Sequence, residues 1–301
     1  MAAKKAKGVV GIIGLGIMGG AFARNLRKSG WRVIGYDIDA KRRRIMAKAG
    51  VEVAAGAGEL ARAAPVIITS LPSPQALAAT VAAIAGSGVA RRVVVEASTF
   101  ALEDKLSAER QLRKAGHVTL DCPMSGTGSQ AENKDLVVYA SGDSKAIAKL
   151  RPLFAGFTRQ VHDVGVYGNG SRMKYVANLL VAIYNVAAGE AFVLGMKAGL
   201  DPKTIFDLVT AGAANSRIFE LRGPMMAKSR YDQPTMKIST WQKDMSVIGD
   251  FAQQLGSPTP LFSATLPIYA AAMATGHAAH DTAAVCAVLE SMAGLKRRRP
   301  R

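Results

Sequence analysis

The hexapeptide Gly14-Leu15-Gly16-Ile17-Met18-Gly19, directly after the apolar run 9–13, constrains this chain more than any other stretch. Three glycines at this spacing between a strand and a helix each have a physical reason. The first makes a tight turn, the second lets the backbone approach a pyrophosphate, and the third lets helix and strand come close. The unpaired amides of the helix N-terminus then hold the anion. The run 32–37 ends at Asp37, 18 residues past Gly19, where a carboxylate hydrogen-bonds the adenosine ribose and repels a 2′-phosphate. Gly14, Leu15, Gly16, Ile17, Met18, Gly19 and Asp37 are therefore expected to bind NAD. Arg42, Arg43 and Arg44 close by leave NADP open.

Runs rich in β-branched residues at 9–13, 32–37, 66–71, 93–97, 118–121 and 136–141 read as strands, several apolar at consecutive positions as buried parallel strands are. Helical stretches at 21–29, 74–85 and 102–115 alternate with them. The pattern predicts a Rossmann-like doubly wound α/β domain over residues 1–168. After the connector Gly165-Val166-Tyr167-Gly168-Asn169-Gly170 only helical periodicity remains, at 171–199, 202–211, 216–228, 240–255, 260–275 and 281–292. Residues 169–301 are expected to be an all-α domain, entered through one long interdomain helix.

At 49% hydrophobic and 20% charged, the 301 residues can bury large cores, and their number suits two domains. The net charge of +17 gathers in Lys4, Lys5 and Lys7, in the run 41–44 and in the tail 296–301, with aromatics at only 6%. Solvated tails account for this better than a nucleic-acid footprint, which interleaves basic and aromatic residues on a folded face. Cys122 and Cys286 match neither a disulfide framework nor a metal spacing. No metal is expected, and a reducing, cytoplasmic setting is. The basic N-terminus imitates a secretion signal, but six glycines within residues 8–20 break the helix such a signal needs. The apolar stretch 175–200 is interrupted by Asn178, Asn185, Glu190 and Lys197, which argues for a buried helix and against a membrane span.

Beyond the glycine turn, three motifs resemble those of the β-hydroxyacid dehydrogenases, the group of 3-hydroxyisobutyrate dehydrogenase and tartronate semialdehyde reductase, and the likeness runs from about Val9 to Met292. The stretch 121–131, DCPMSGTGSQA, is similar to the family's DAPVSGG loop, with Met124 and Thr127 as departures. The resemblance implies that Ser125, Gly126 and Thr127 hold the substrate carboxylate, which suits a hydroxyl beside successive backbone amides. The stretch 168–180, GNGSRMKYVANLL, is similar to GxGxxxKxxNN, with Ala177 where the family often has Asn. Lys174 and Asn178 share one helix face. By resemblance Lys174 is the general acid/base and Asn178 orients it and the substrate hydroxyl. The segment 241–245, WQKDM, resembles the family's KDL segment, which implies that Lys243 lies near the cofactor and that Asp244 is structural. Leu71-Pro72 and Thr99 stand where the family meets the cofactor. The stretch 213–222, AANSRIFELR, resembles the L-threonate dehydrogenase branch and offers Arg217 or Arg222 to an anionic substrate.

The resemblance implies hydride transfer between NAD and a small β-hydroxyacid or sugar acid. Two alternatives stay open: an imine- or semialdehyde-reducing relative on the same fold, and a non-catalytic dinucleotide-bound scaffold that docks nucleic acid through its basic ends. Imine reductases usually lack the lysine that Lys174 supplies, and the presence of both Lys174 and Asn178 speaks against lost catalysis. The long apolar helix suggests a homodimer or homotetramer formed through the helical domain.

Overall fold

A strand of consecutive apolar residues can be covered on both faces, and the first half of the chain is built on that rule. The computed structural model describes residues 6–297, so Lys4, Lys5 and the tail end 298–301 lie outside the described residues. The chain divides into two compact units, Met1–Lys174 and Tyr175–Arg301.

The first unit runs β1 (Val9–Ile13), α1 (Ile17–Lys28), β2 (Arg32–Tyr36), α2 (Ala40–Lys48), β3 (Glu52–Val53), α3 (Ala57–Ala63), β4 (Val66–Thr69), α4 (Pro74–Ala85), β5 (Val93–Glu96), α5 (Leu102–Lys114), β6 (Val118–Asp121), β7 (Met124–Ser125), α6 (Gly128–Glu132), β8 (Val137–Ala140), α7 (Ser144–Phe154) and β9 (Gln160–Asp163), and it takes in the first turns of α8 (Asn169–Lys197). Six strands form a parallel sheet of order β3-β2-β1-β4-β5-β6. Val10, Ile12, Ile68, Val95 and Leu120 join one buried cluster with Phe22, Phe154 and Phe157, while Ile13, Ile67 and Val94 join another with Leu60, Leu77 and Ile84. Successive strand residues thus feed opposite helical layers, as period-2 geometry requires. This is the Rossmann-like doubly wound architecture that the alternating runs predict.

Several elements depart from the sequence pattern. The run 136–141 does not extend the large sheet; as β8 it pairs antiparallel with β7 and parallel with β9 in a separate three-stranded sheet. Helices α2, α3, α6 and α7 fall outside the helical stretches read from the sequence, although α7 buries Ala146, Ile147, Leu150, Leu153 and Phe154 along one helical face. In α2 only Met46 is buried, and the helix starts because the Asp39 side chain accepts the Lys41 amide. Helix α7 tolerates Pro152 and is capped by Asp143.

The second unit holds the rest of α8, then α9 (Pro202–Ala211), α10 (Arg217–Lys228), α11 (Ile238–Gln254), α12 (Pro260–Ala274), a single 3-10 turn at Thr282–Ala284 and α13 (Val285–Met292). By length and composition alone α8 could cross a membrane. Its buried stripe, however, includes Asn178 and Asn185, which hydrogen-bond to Asp244 and to the Tyr269 hydroxyl. The stripe continues through Phe192, stacked on Phe219 at 5.4 Å. Arg297, expected in a solvated tail, donates instead to the Met226 and Ala227 carbonyls and pairs with Glu290.

Asp281 is fully buried and accepts the amides of Thr235, Met236 and Ala283 while pairing with buried Arg222 at 3.3 Å. Asp281→Ala leaves Arg222 charged and unpaired in the core, so it is expected to cost about 3 to 5 kcal/mol. Breaking the exposed pair Lys203–Asp207 should cost far less, because water screens it and takes over both charges. Urea unfolding followed by circular dichroism checks both, and equal losses would show that burial is not what makes the Arg222 pair matter.

Candidate functional site

In a doubly wound sheet the ligand crevice lies outside the carboxyl ends of the strands, where the strand order reverses. Here the reversal falls between β1 and β4. The glycine turn follows β1, Asp37 follows β2, Leu71-Pro72 follows β4 and Thr99 follows β5. Gly14 has φ +89°, and a β-carbon on it would strike the Ser70 carbonyl, as one on Gly19 would strike the Gly14 carbonyl. A β-carbon on Gly16 would meet only Arg42, at 3.4 Å. Gly16 also begins α1 with no side chain on the helix's first amides. Backbone donors at a helix start, beside a hollow lined by Ile17, Arg24, Arg42, Ile45 and Met46, suit a dinucleotide's phosphates.

Asp37 is more deeply used than its place at a strand end suggests. It is 5% exposed, and its two carboxylate oxygens accept the Leu15 amide at 2.7 Å and the Asp39 amide at 2.9 Å. Its carboxylate therefore braces the glycine turn, with Arg42 Nη1 at 3.5 Å.

The loop 121–127 is set against the cofactor helix. Asn25, buried in α1, donates to the Ala131 carbonyl of α6 at 2.7 Å, and Arg24 pairs with Glu132. The buried amide bond is the stronger constraint, because an ion pair as exposed as Arg24–Glu132 contributes only about 0.2 to 1 kcal/mol. Gly126 sits at φ +132° with no room for a β-carbon beside Leu136. Ser125, Gly126 and Thr127 are half-buried. The Thr127 amide donates to Gln130 Oε1 at 3.0 Å, so the turn itself occupies it. Burial and the neighbouring Asp121 carboxylate push the Cys122 thiol well above the ordinary range, which makes it a packing residue and no nucleophile.

Lys174 lies half-buried in the second turn of α8. Three residues earlier, Ser171 donates its amide and its hydroxyl to the two carboxylate oxygens of Asp121, at 2.7 and 2.9 Å. Asp121 and Ser141 also exchange backbone hydrogen bonds at 2.9 Å, joining the ends of the two sheets. The residue that opens the loop thus anchors the helix that carries Lys174. In the second unit, Asn178 is 4% exposed and donates to Asp244 Oδ2 at 3.1 Å, while Lys243 Nζ lies 3.3 Å from Asp244 Oδ1. Asn178 and Lys243 therefore share one carboxylate. Arg217 is exposed and pairs with Glu220 at 2.8 Å. Arg222 is spent in the core on Asp281 and Thr282. Asn25, Asp121 and Ser171 also bear on the site: Asp121 and Ser171 lie inside the 121–131 and 168–180 motifs, but nothing local shows that they meet, and Asn25 looks like an ordinary helix residue.

A family model described as the NAD binding domain of 6-phosphogluconate dehydrogenase matches residues 9–165, and one described as NAD-binding of NADP-dependent 3-hydroxyisobutyrate dehydrogenase matches residues 168–289. The L-threonate dehydrogenase of Cupriavidus necator is 29% identical over 92% of this chain and 94% of its own. Glyoxylate/succinic semialdehyde reductase 2 of Arabidopsis thaliana is 27% identical over 94% of this chain and 79% of its own. The solved structure of Mycobacterium tuberculosis 3-hydroxyisobutyrate dehydrogenase with L-serine superposes with a TM-score of 0.85 at 27% identity, covering 94% of this chain and 99% of that one.

Asp37→Asn keeps an acceptor oxygen for the Leu15 amide but removes the charge that opposes a 2′-phosphate and that pairs with Arg42. It is expected to raise the affinity for NADPH relative to NADH about tenfold, a change of about 1.4 kcal/mol. Fluorescence titration of both cofactors measures this. An unchanged ratio would show that Asp37 serves the loop alone.

Proposed function

Because the chain belongs to the β-hydroxyacid dehydrogenase superfamily and is an NAD(P)-dependent hydroxyacid dehydrogenase, we propose that it oxidises a small β-hydroxyacid or sugar acid of the L-threonate or 3-hydroxyisobutyrate kind, with NAD preferred. The observation that carries this reading is the pair of hydrogen bonds from Ser171 to Asp121, which ties the residue that opens the Ser125 loop to the first turn of the helix that carries Lys174.

The turn 14–19 with Asp37, Leu71, Pro72 and Thr99 would hold the dinucleotide, with Lys243 assigned beside it, and the nicotinamide supplies the hydride acceptor. Ser125 and Gly126 are the loop's donors to the substrate carboxylate, with Thr127 contributing its hydroxyl, since its amide is engaged by Gln130. Lys174 takes the hydroxyl proton when the acid is oxidised and returns it in the reverse direction. Asn178 donates one amide hydrogen to Asp244, which fixes the side chain so that its remaining polar groups can orient Lys174 or the substrate hydroxyl. Arg217 is a further candidate for an anionic substrate, at the cost of its pair with Glu220. Reduction of a semialdehyde is the second reading, favoured by the likeness to the plant reductase.

A panel of L-threonate, 3-hydroxyisobutyrate, L-serine and succinic semialdehyde, followed by absorbance of the reduced cofactor with NAD and with NADP, tests the substrate class; turnover confined to the semialdehyde would replace the first reading with the second. Lys174→Ala is expected to lower kcat about a hundredfold to ten-thousandfold while cofactor binding persists, the scale of well-placed acid/base catalysis. Lys174→Arg should not restore it, because a guanidinium keeps its proton. A free lysine amine titrates near about 10.4, so oxidation, which needs the neutral amine, should speed up toward alkaline pH. Retention of more than about a tenth of the activity by Lys174→Ala would remove Lys174 from the mechanism.

A further inference from the structure

Lys105 is a buried charge that the reaction described above does not use. It sits in the first turns of α5 with 0% exposure, and its ammonium pairs with two carboxylates and donates to a backbone carbonyl. Nζ lies 2.7 Å from Glu96 Oε2, 2.5 Å from Asp121 Oδ1 and 2.8 Å from the Ser98 carbonyl. Burial alone would lower its pKa, but the carboxylates of Asp121 and Glu96 outweigh it and hold the ammonium charged well beyond neutral pH. Such a cluster is poor value as a stabiliser, since an apolar replacement of the same volume is often neutral or better. Its distinguishing property is where its three acceptors lie.

The acceptors lie in two parts of the candidate site, the turn that follows β5 and the residue that opens the substrate loop, and the second reaches a third part through Ser171. Glu96 Oε1 accepts the Ser98 amide at 2.9 Å, and Ser98 Oγ accepts the Leu71 amide at 2.8 Å, so this arm sets the turns that carry Leu71 and Thr99. Asp121 opens the substrate loop four residues before Ser125. Through Ser171 the same carboxylate sets the start of α8, one turn before Lys174. Tyr167, in the connector before α8, donates its hydroxyl to the Lys105 carbonyl at 3.2 Å.

We propose that Lys105 is a positioning residue for the reaction: its ammonium fixes the turn 98–99, the loop 121–127 and the start of α8 at Ser171 in one register, so that the groups around the nicotinamide, the substrate carboxylate and the proton are placed together. The role rests on the hydroxyacid dehydrogenase reading. It predicts a loss of rate that far exceeds the loss of cofactor affinity, because only the contacts of Leu71 and Thr99 are loosened, while the glycine turn is braced separately by Asp37.

Two variants test this. Lys105→Met removes the ammonium and leaves two buried carboxylates. Ser171→Ala keeps the charges and removes only the Ser171 hydroxyl bond to Asp121. Lys105→Met is expected to lower kcat about ten- to a hundredfold, the scale of an ångström of misplacement, with cofactor Kd within about threefold of wild type. Ser171→Ala should lower kcat about three- to tenfold, and in both the deuterium isotope effect on kcat should grow as the hydride step becomes limiting. Hydrogen exchange should accelerate together in 96–99, 121–127 and 170–174. If Lys105→Met does not fold, Ser171→Ala decides by the same measurements. Wild-type kcat in the folded variants with only a lowered melting temperature overturns the proposal, as does faster exchange confined to α5. Should the wild-type chain turn over no acid at all, the function above fails. The exchange pattern still decides whether Lys105 sets the three segments together.

Discussion

Asp121 is the point on which the first unit turns. It ends β6, exchanges backbone bonds with Ser141 at the end of β8, and gives its carboxylate to Lys105 and to Ser171. A carboxylate with no exposure has no water to satisfy it, so every lone pair must find a donor in the protein. Those donors arrive from α5, from the small sheet and from the start of α8. Because they are obligatory they leave these elements little freedom to shift. The two sheets and the first turn of α8 are thus held by the solvation demand of one charge.

The cofactor side is held by similar logic with weaker groups. Asp37 spends its oxygens on the amides of Leu15 and Asp39, which braces the glycine turn from within the protein. Asn25 links α1 to α6, so the loop of Ser125 is referred to the helix that follows the glycine turn. Preorganisation of this kind matters more than the number of contacts, since a group misplaced by an ångström loses much of its effect.

The helical unit places its charges differently. Asp281 gathers three amides and Arg222 into the core, and Asp244 serves both Asn178 and Lys243. An arginine paired in this way is unavailable to a substrate, whereas Arg217, exposed in the first turn of α10, exchanges a surface partner at little cost. Two arginines from one sequence motif therefore have different fates, and only their burial separates them.

Local rules of the chain determined a great deal. Consecutive apolar residues in 9–13, 66–71 and 93–97 specify buried parallel strands, the glycine spacing after Ile13 specifies a tight strand-to-helix turn, and the helical repeat after Gly170 specifies an all-α second half. Lys174 and the 121–131 loop were legible through family resemblance, because their motifs are contiguous. What tertiary structure alone decided is partnership at a distance. That the run 136–141 leaves the main sheet, that Asp37 turns inward to Leu15, and that Lys105 answers both Glu96 and Asp121 all depend on residues brought together from separate elements. A lysine in an amphipathic helix carries no local mark of being buried, since its periodicity is the same whether it meets water or two carboxylates; only the closed fold, by removing the water, makes those partners necessary.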